Sequence, residues 1–225
     1  MPRIPRGLEV GGVAHVLNRG NAKQTVFHTA GEYEGFIELL HRAKERHPVD
    51  LLAFCIMPNH FHVVVRVDQT ADLSALMQWW MTSHVRRLHK RNATSGHIWQ
   101  GRFKSFPIQE DEHLLTVLRY VLLNPCRANL VQDPWAWRFS SLWYDHMLAS
   151  WPVKPPVDAR VWLSESPDED DAADVRRSIR RGTPYGDEAW QQRAASEWGL
   201  EPTLNPRGRP RQQLALPPEH LNLFK

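Results

Sequence analysis

The sequence has little of what a disulfide-stabilised or membrane-spanning protein needs. Its 225 residues include only two cysteines, Cys55 and Cys126, and each lies in an apolar stretch. Two cysteines cannot build a disulfide framework, so we expect small buried side chains in a reducing compartment. The longest apolar run, residues 51–58, is too short for a bilayer, and residues 1–7 carry two arginines with no apolar run behind them. We therefore expect a cytoplasmic protein with no membrane partner.

Acidic residues are missing from one long segment. Between Asp72 and Glu110 there is no Asp or Glu. The same segment carries six cations, which are Arg86, Arg87, Lys90, Arg91, Arg102 and Lys104. Residues 164–174 show the opposite bias, with six acidic side chains. This segregation predicts one strongly positive face, as nucleic-acid binding requires; from charge alone, a solvated basic helix face is an equally good interpretation.

Hydrophobic periodicity gives the order of the elements. Period-two and β-rich runs predict strands at 12–19, 51–57, 60–67 and 101–108, the last at a sheet edge because it contains Pro107. Pro58-Asn59 predicts a hairpin turn between the second and third strands. Apolar spacings of three and four predict helices at 32–47, 73–90 and 112–124. The order predicts an α+β fold: a ferredoxin-like split β-α-β antiparallel sheet with helices on one face and an extra C-terminal helix.

Composition changes near residue 150. Beyond it the chain is richer in Trp, Pro and acidic residues, and it has a short helical pattern at 188–199. It then runs into a Pro- and Arg-rich segment, residues 205–211. We expect one domain at 1–150, followed by a mostly irregular or helical extension at 151–225 with a basic tail.

Two histidines near the hairpin are candidates for metal ligands. In His60-Phe61-His62 the two imidazoles are at positions i and i+2 of a predicted strand, so both point to the same face and Phe61 points to the other. Two neutral imidazoles form half of a divalent-metal site. The pattern alone is weak, because this chain has twelve histidines.

The third predicted helix offers an oxygen ligand and a nucleophile. Tyr120 and Asn124 are four residues apart on a helix that is apolar over most of its surface. A tyrosine in such a place is most often a core residue with its hydroxyl tied to the backbone. In the functional interpretation, its phenol faces a metal-bound phosphate and the Asn124 amide oxygen is the third ligand. Two imidazoles with one oxygen, and positions left open for phosphate, suit Mg²⁺ or Mn²⁺.

Four motifs together resemble the single-tyrosine transposases of the HUH nuclease superfamily. In chain order they are HVLNRG at 15–20, MPNHFHVVV at 57–65, WQGRF at 99–103 and YVLLNPCRA at 120–128. The sequence is similar in particular to the REP-associated tyrosine transposases, bacterial proteins tied to repetitive extragenic palindromes. The similarity covers roughly residues 8–145, and the Gly-Arg-Pro-Arg run at 208–211 is typical of the same subgroup.

The resemblance implies a function and a set of residues. It places the catalytic domain at 1–150, the metal ligands on His60, His62 and Asn124, and the nucleophile on Tyr120. The implied activity is cleavage and rejoining of single-stranded DNA at palindromic hairpins through a 5′-phosphotyrosine intermediate, with Mg²⁺ or Mn²⁺. A monomer is expected, with a homodimer as the alternative. The predicted DNA-binding residues are Arg19, Arg86, Arg87, Lys90, Arg91, Trp99, Arg102, Lys104, Arg127, Arg207, Arg209 and Arg211, with Trp99 in a polar loop as a platform for unpaired bases.

Two other functions fit part of the pattern. A zinc hydrolase would use His60, His62 and a further His or acidic ligand, and would give Tyr120 no role. A transposase-derived DNA-binding regulator would bind hairpin DNA without needing Tyr120 or metal. Because the sequence keeps both histidines, the tyrosine and the asparagine, we favour an active enzyme.

Overall fold

In the computed structural model, which describes residues 11–67, 70–165 and 169–205, four strands form one antiparallel sheet. The strands are β1 (Val13–Arg19), β2 (Asp50–Met57), β3 (His60–Arg66) and β4 (Lys104–Ile108). Their order in the sheet is β2-β3-β1-β4. Pro58 and Asn59 form the turn of the predicted β2–β3 hairpin, since Met57 pairs with His60. The sheet order and antiparallel pairing confirm the predicted ferredoxin-like plan.

The sheet separates two hydrophobic layers. Helices α1 (Ala30–Arg46) and α2 (Thr70–Asn92) pack on one face, with Trp80 fully buried against Phe36. The extra helix, α3 (Glu112–Leu122), packs on the opposite face. Alternation along β1 fixes this division, because Ala14 and Val16 face α1 and α2 while Val13 and Leu17 belong to the α3 layer.

Part of the segment after α3 also packs on the sheet, while Leu163 packs with Leu122 and Leu123 in a smaller cluster. The segment contains α4 (Asn124–Arg127), α5 (Ala159–Ser164), α6 (Glu169–Arg181), α7 (Glu188–Trp198) and α8 (Glu201–Leu204). Helix α6 was not predicted, although the acidic residues of its first turn favour a helix N-terminus. Ala172 and Val175 of α6 are buried in the same cluster as residues of α3 and the sheet. The division at residue 150 stays a prediction, and the described part of the extension shares a hydrophobic core with the sheet.

Later parts of the chain cover both edges of the sheet. Along β2, the Ile56 N–H donates to the Phe139 carbonyl at 2.9 Å, and the Ala149 N–H donates to the Leu51 carbonyl at 2.8 Å. Along β4, the Tyr185 N–H donates to the Pro107 carbonyl at 2.9 Å. The predicted edge position of β4 is therefore confirmed, and Pro107, which has no N–H, is tolerated there.

The two cysteines differ in burial, although both were predicted to be buried. Cys55 is fully buried in β2, whereas Cys126 is half-buried with its sulfur 3.6 Å from the Gln132 carbonyl oxygen. Among the described residues, no helix is both long enough and apolar enough to cross a membrane.

Candidate metal and nucleophile site

His60 and His62 lie on β3 and face the α3 layer, as the strand period predicts. Phe61, between them, is buried in the opposite layer against Trp80. The two imidazole centroids are 5.0 Å apart, and the rings are nearly perpendicular. In the sheet, His60 is opposite Arg19 of β1 and His62 is opposite Leu17. Burial and the nearby Arg19 charge lower the pKa of His60 to about 4, and burial holds the pKa of His62 well below its ordinary value. Both rings are thus neutral and able to ligate a metal.

The turn residue Asn59 fixes the orientation of His60. The His60 Nδ1 lies 2.6 Å from the Asn59 Oδ1. An amide oxygen can only accept a hydrogen bond, so the His60 Nδ1 carries the proton and donates it. The lone pair is then on Nε2, which is the nitrogen a metal would use.

Asn124 lies between the histidines and the tyrosine. Helix α3 ends at Leu122, and Asn124 begins the short helix α4, so Asn124 is not in the helix that carries Tyr120. The cause is Pro125, which disfavours a continuous helix at the residue before it. The Asn124 side chain nevertheless lies near both residues, since it raises the pKa of His60 and lowers the pKa of Tyr120. The predicted third ligand is therefore next to the first, although the i, i+4 spacing on one helix does not put it there.

Tyr120 is buried on α3 next to the histidine pair. Its ring centroid is 5.8 Å from that of His62, and the rings are perpendicular. The Arg127 guanidinium lies 4.9 Å from the centre of the Tyr120 ring, and Arg127 also donates to the Tyr120 carbonyl at 2.9 Å. Burial raises the pKa of Tyr120, while the charges of Arg127 and Arg176 and the hydrogen bonds from Asn124 and Arg176 oppose that rise. The surrounding groups thus favour the phenolate against the cost of burying it.

Two residues beside the site were not assigned a role from the sequence. Arg176, whose positive charge lowers the pKa of Tyr120, belongs to α6 in the extension and also pairs with Glu169 at 3.3 Å. Its signal in the sequence was only an arginine two residues after an acidic run. His15, on β1, lies 2.7 Å from His62 through its Nε2, and it is fully buried. The alternation of side chains along β1 could have predicted this contact, because His15 and Leu17 lie on the same face of β1 and Leu17 is opposite His62.

The described cations that were predicted to bind DNA fall into three groups, the first of which is Arg127 alone, half-buried against the Tyr120 ring. Arg87 and Arg91 of α2 pair with Glu38, at 3.2 Å, and with Glu32, so they tie α2 to α1. The others, which are Arg19, Arg86, Lys90, Arg102 and Lys104, are exposed. Arg86 and Arg102 border a mostly apolar groove of about 800 Å³ beside α2.

Trp99 is a core residue in this structure. It is only 5% exposed, and its ring packs against Phe27, Phe36 and Phe61. Its neighbourhood in the sequence is polar, but the Gly20–Trp99 bridge brings it onto the end of the sheet. The Trp99 ring stacks on Phe36 and meets Phe27 and Phe61 at steeper angles, and Trp99 also contributes to the lining of the groove beside α2, so its base-stacking role stays a prediction. Arg207, Arg209 and Arg211 lie outside the described residues.

A second group of potential ligands lies at the other end of α3. The ligand atoms of Asp111, Glu112 and His113 are within 4.8 Å of one another. Asp111 is the N-cap of α3, and its Oδ1 accepts hydrogen bonds from the His113 backbone at 2.9 Å and from its ring at 2.7 Å. A capping role accounts for this arrangement. The cluster is separated from Tyr120 by about 12 Å of helix.

Comparisons with known proteins agree with these motifs. The family model described as "Transposase IS200 like" matches residues 11–124. A Haemophilus influenzae protein, provisionally named a REP-associated tyrosine transposase, is 30% identical over 112 residues. That match covers 45% of this chain and 63% of the relative. A solved REP-associated tyrosine transposase, bound to a REP hairpin, superposes with a TM-score of 0.52 at 17% identity, covering 70% of this chain and 94% of the other.

Proposed function

Because this chain belongs to the IS200-like transposase family, we propose that it cuts and rejoins single-stranded DNA with Tyr120 as the nucleophile. The observation that carries the proposal is the position of Tyr120, whose ring centroid lies 5.8 Å from that of His62, with Asn124 near enough to shift the pKa values of both His60 and Tyr120. Residues from β3, α3 and α4 thus meet at one point, where a phosphate could touch the phenol and a metal together. A zinc hydrolase would have no use for Tyr120 in this place.

The proposed reaction is a phosphoryl transfer. The Tyr120 oxygen attacks phosphorus, an oxygen–phosphorus bond forms, and the bond from phosphorus to the 3′-oxygen of the preceding nucleotide breaks. The phenolic proton passes to solvent, and the departing oxygen becomes a 3′-hydroxyl. The 5′-phosphotyrosine keeps the bond energy, so a 3′-hydroxyl can later reverse the step and join DNA ends without ATP.

His60, His62 and Asn124 would hold the metal, Mg²⁺ or Mn²⁺. Their donor set fits such an ion: neutral imidazole nitrogens and an amide oxygen, with the lone pair of His60 freed by Asn59. When bound, the ion would polarise the scissile phosphate and neutralise charge on its oxygens. Asn124 also positions the Tyr120 hydroxyl, so one side chain aligns the nucleophile with the metal ligands.

Positive side chains would stabilise the reacting groups. Arg127 and Arg176 flank Tyr120 and favour the phenolate, which is both the attacking group and the leaving group of the reverse step. Arg19 is exposed opposite His60, at the edge of the site, where it could contact a backbone phosphate. The extension therefore contributes to the site through Arg176.

We infer that the substrate is a hairpin-forming repeat with an unpaired flank. The relatives named above are REP-associated, and the solved one holds a REP hairpin. In this chain the exposed cations Arg86 and Arg102 border a largely apolar groove, which suits unpaired nucleotides, with phosphates at the border and bases inside.

A covalent-adduct assay tests this function. The wild type and a Tyr120→Phe variant would be incubated with end-labelled single-stranded hairpins from palindromes flanking the gene, in Mn²⁺ or in chelator. We expect a metal-dependent protein–DNA band on a denaturing gel for the wild type and none for Tyr120→Phe. Tyr144→Phe is the matched control, because Tyr144 packs against Phe54 in the other layer; it should form the adduct normally.

The alternative function gives a different result. If the wild type binds these hairpins but forms no adduct with any divalent metal, the chain is a DNA-binding regulator and not an enzyme. An adduct that persists in Tyr120→Phe would assign the nucleophile to another residue.

A further inference from the structure

His15 forms a buried pair with His62 and was given no role in the function proposed above. His15 Nε2 lies 2.7 Å from His62 Nδ1, and both rings are on the α3 side of the sheet. The two are diagonal neighbours, since His62 is opposite Leu17, two residues after His15. His15 is fully buried, and the edge of its ring meets the Phe106 ring at a centroid distance of 4.9 Å.

Only one arrangement of protons in this pair allows His62 to bind a metal. A neutral imidazole has one N–H and one lone pair. If His15 donates the hydrogen bond, the proton of His62 is on Nε2, and that nitrogen cannot ligate. If His62 donates through Nδ1, its Nε2 lone pair is free and the proton of His15 is on Nδ1. The His15 Nδ1 has no hydrogen-bond partner among the described residues, so none of their side chains prevents the His15 Nε2 from accepting the His62 proton.

We propose that His15 is a positioning residue for the metal site, accepting the His62 Nδ1 proton so that the His62 Nε2 lone pair faces the ion. This inference rests on the metal-dependent function proposed above. His15 then does for His62 what Asn59 does for His60, because each ligand ring has its Nδ1 held by a neighbouring side chain. Such partners fix the ring and its tautomer, and their loss typically weakens metal binding about 10- to 100-fold.

The burial of His15 makes this role different from that of a solvent-exposed partner. Water cannot replace a lost acceptor at a side chain that is fully buried in the sheet. Removing the ring nitrogen would leave the His62 Nδ1–H buried without an acceptor, so the tautomer that metal binding requires would become the costly one. The metal would then have to shift the tautomer equilibrium of His62, and the measured metal affinity would fall by the free energy of that shift.

Metal affinity in the absence of DNA tests the proposal. The Mn²⁺ dissociation constant would be measured by electron paramagnetic resonance for the wild type, His15→Leu and His15→Gln. We expect His15→Leu to weaken Mn²⁺ binding about 10- to 100-fold. His15→Gln, whose side-chain oxygen can accept the His62 proton, should recover part of that loss. Hairpin affinity in chelator should be the same in all three proteins.

Phe106→Leu is the matched control for packing. Phe106 touches the His15 ring but has no polar atom, so this variant disturbs the same contact without removing an acceptor. It should lower the thermal midpoint and leave the Mn²⁺ dissociation constant within about twofold of the wild type. An equal loss of affinity in Phe106→Leu and His15→Leu would overturn the proposal, because packing alone would then explain the effect.

The tautomer itself can be measured by NMR in the unmutated protein. In ¹⁵N-histidine-labelled protein loaded with Mg²⁺, the proposal requires a protonated Nδ1 on His62 and a protonated Nδ1 on His15. A proton on the His62 Nε2 would overturn it, even if His15→Leu fails to fold. If the wild type binds no Mn²⁺ at all, the metal-dependent function fails as well. Wild-type binding that is unchanged in His15→Leu overturns the role of His15 alone.

Discussion

Buried neutral histidines are a recurring feature of this protein. Burial lowers the pKa of His15 to about 3 and the pKa values of His60 and His84 to about 4. His84 is not part of the metal site. It lies on α2 among aromatic side chains, and its ring centroid is 4.6 Å from that of Phe36 and 5.5 Å from that of Trp99. Each such group is a place where acid can destabilise the fold, because an unfolded histidine binds a proton more readily than the folded one.

His84 gives the pH dependence that can be tested most cleanly. Its pKa is about 4 when folded, from burial and the nearby Arg87 charge, against 6.5 when unfolded. Between these values the unfolded chain binds more protons than the folded one. The free energy of unfolding is therefore at its full value above pH 6.5 and decreases as the pH falls toward 4. We expect His84→Phe to reduce the loss of unfolding free energy between about pH 7 and about pH 4.5 by about 2–3 kcal/mol, measured by urea denaturation.

Exposed His146 provides the control for that measurement. Its side chain is 67% exposed, so His146→Phe should lose as much stability as the wild type between the two pH values. A pH dependence in His84→Phe that equals the wild-type dependence would mean that His84 is not held neutral by the fold.

At the scale of elements, the sheet and its first three helices could be predicted because each has a strong hydrophobic period. Strand alternation also placed His60 and His62 on one face, with Phe61 in the opposite layer. Helix α6 could not be predicted from its acidic first turn, since its buried face consists of small side chains such as Ala172 and Ser178 around Val175. Trp99 could not be assigned to the core from its polar neighbours, because the bridge that places it there is made with Gly20, at the end of β1.

The site was predictable only where its geometry is local. The spacing of His60 and His62 follows from the strand, and the nearness of Asn124 to Tyr120 follows from the chain. His15 and Arg176 come from β1 and α6, which are far from β3 and α3 in the sequence, so their contacts depend on tertiary packing. No local pattern encodes that packing.

Helix α6 should influence the rate of cleavage through Arg176. We expect Arg176→Gln to slow adduct formation about threefold to tenfold at saturating hairpin, without changing hairpin affinity. The expected effect is small because Arg176 is 41% exposed, so that solvent screens its charge, and because it also pairs with Glu169. Rates would be measured by quenching the reaction at successive times and counting labelled adduct.

Arg177→Gln is the comparison for Arg176→Gln. Arg177 is the next residue on α6 and pairs with Asp174, so its loss removes the same charge from the same helix without touching Tyr120. Equal rates in the two variants would assign the effect to overall charge and not to the contact with the nucleophile.

At the scale of the whole molecule, the shared core predicts cooperative unfolding. Val175 of α6 is fully buried with the sheet residues of the α3 layer. Val175→Ala should therefore lower the unfolding free energy of the whole chain by roughly 1–3 kcal/mol. Urea transitions followed by far-UV circular dichroism and by tryptophan fluorescence should coincide in both proteins.

Val161→Ala is the control for that change. Val161 is 55% exposed on α5 of the same extension, so its truncation should alter stability by less than about 0.5 kcal/mol. Two separate transitions, with only one moved by Val175→Ala, would show that residues 151–225 fold as an independent domain.

The covered edges of the sheet bear on how this protein behaves at high concentration. An open edge strand offers a row of unpaired backbone groups to any other chain, and this is a common route to fibres and to strand-mediated dimers. Here the backbone groups of Phe139 and Ala149 are hydrogen-bonded to the outer edge of β2, and the Tyr185 N–H is hydrogen-bonded to the outer edge of β4. A second copy would find these backbone positions already taken. We therefore expect a monomer, because self-association by sheet extension would first require Phe139 and Ala149 to leave β2, or Tyr185 of the extension to leave β4.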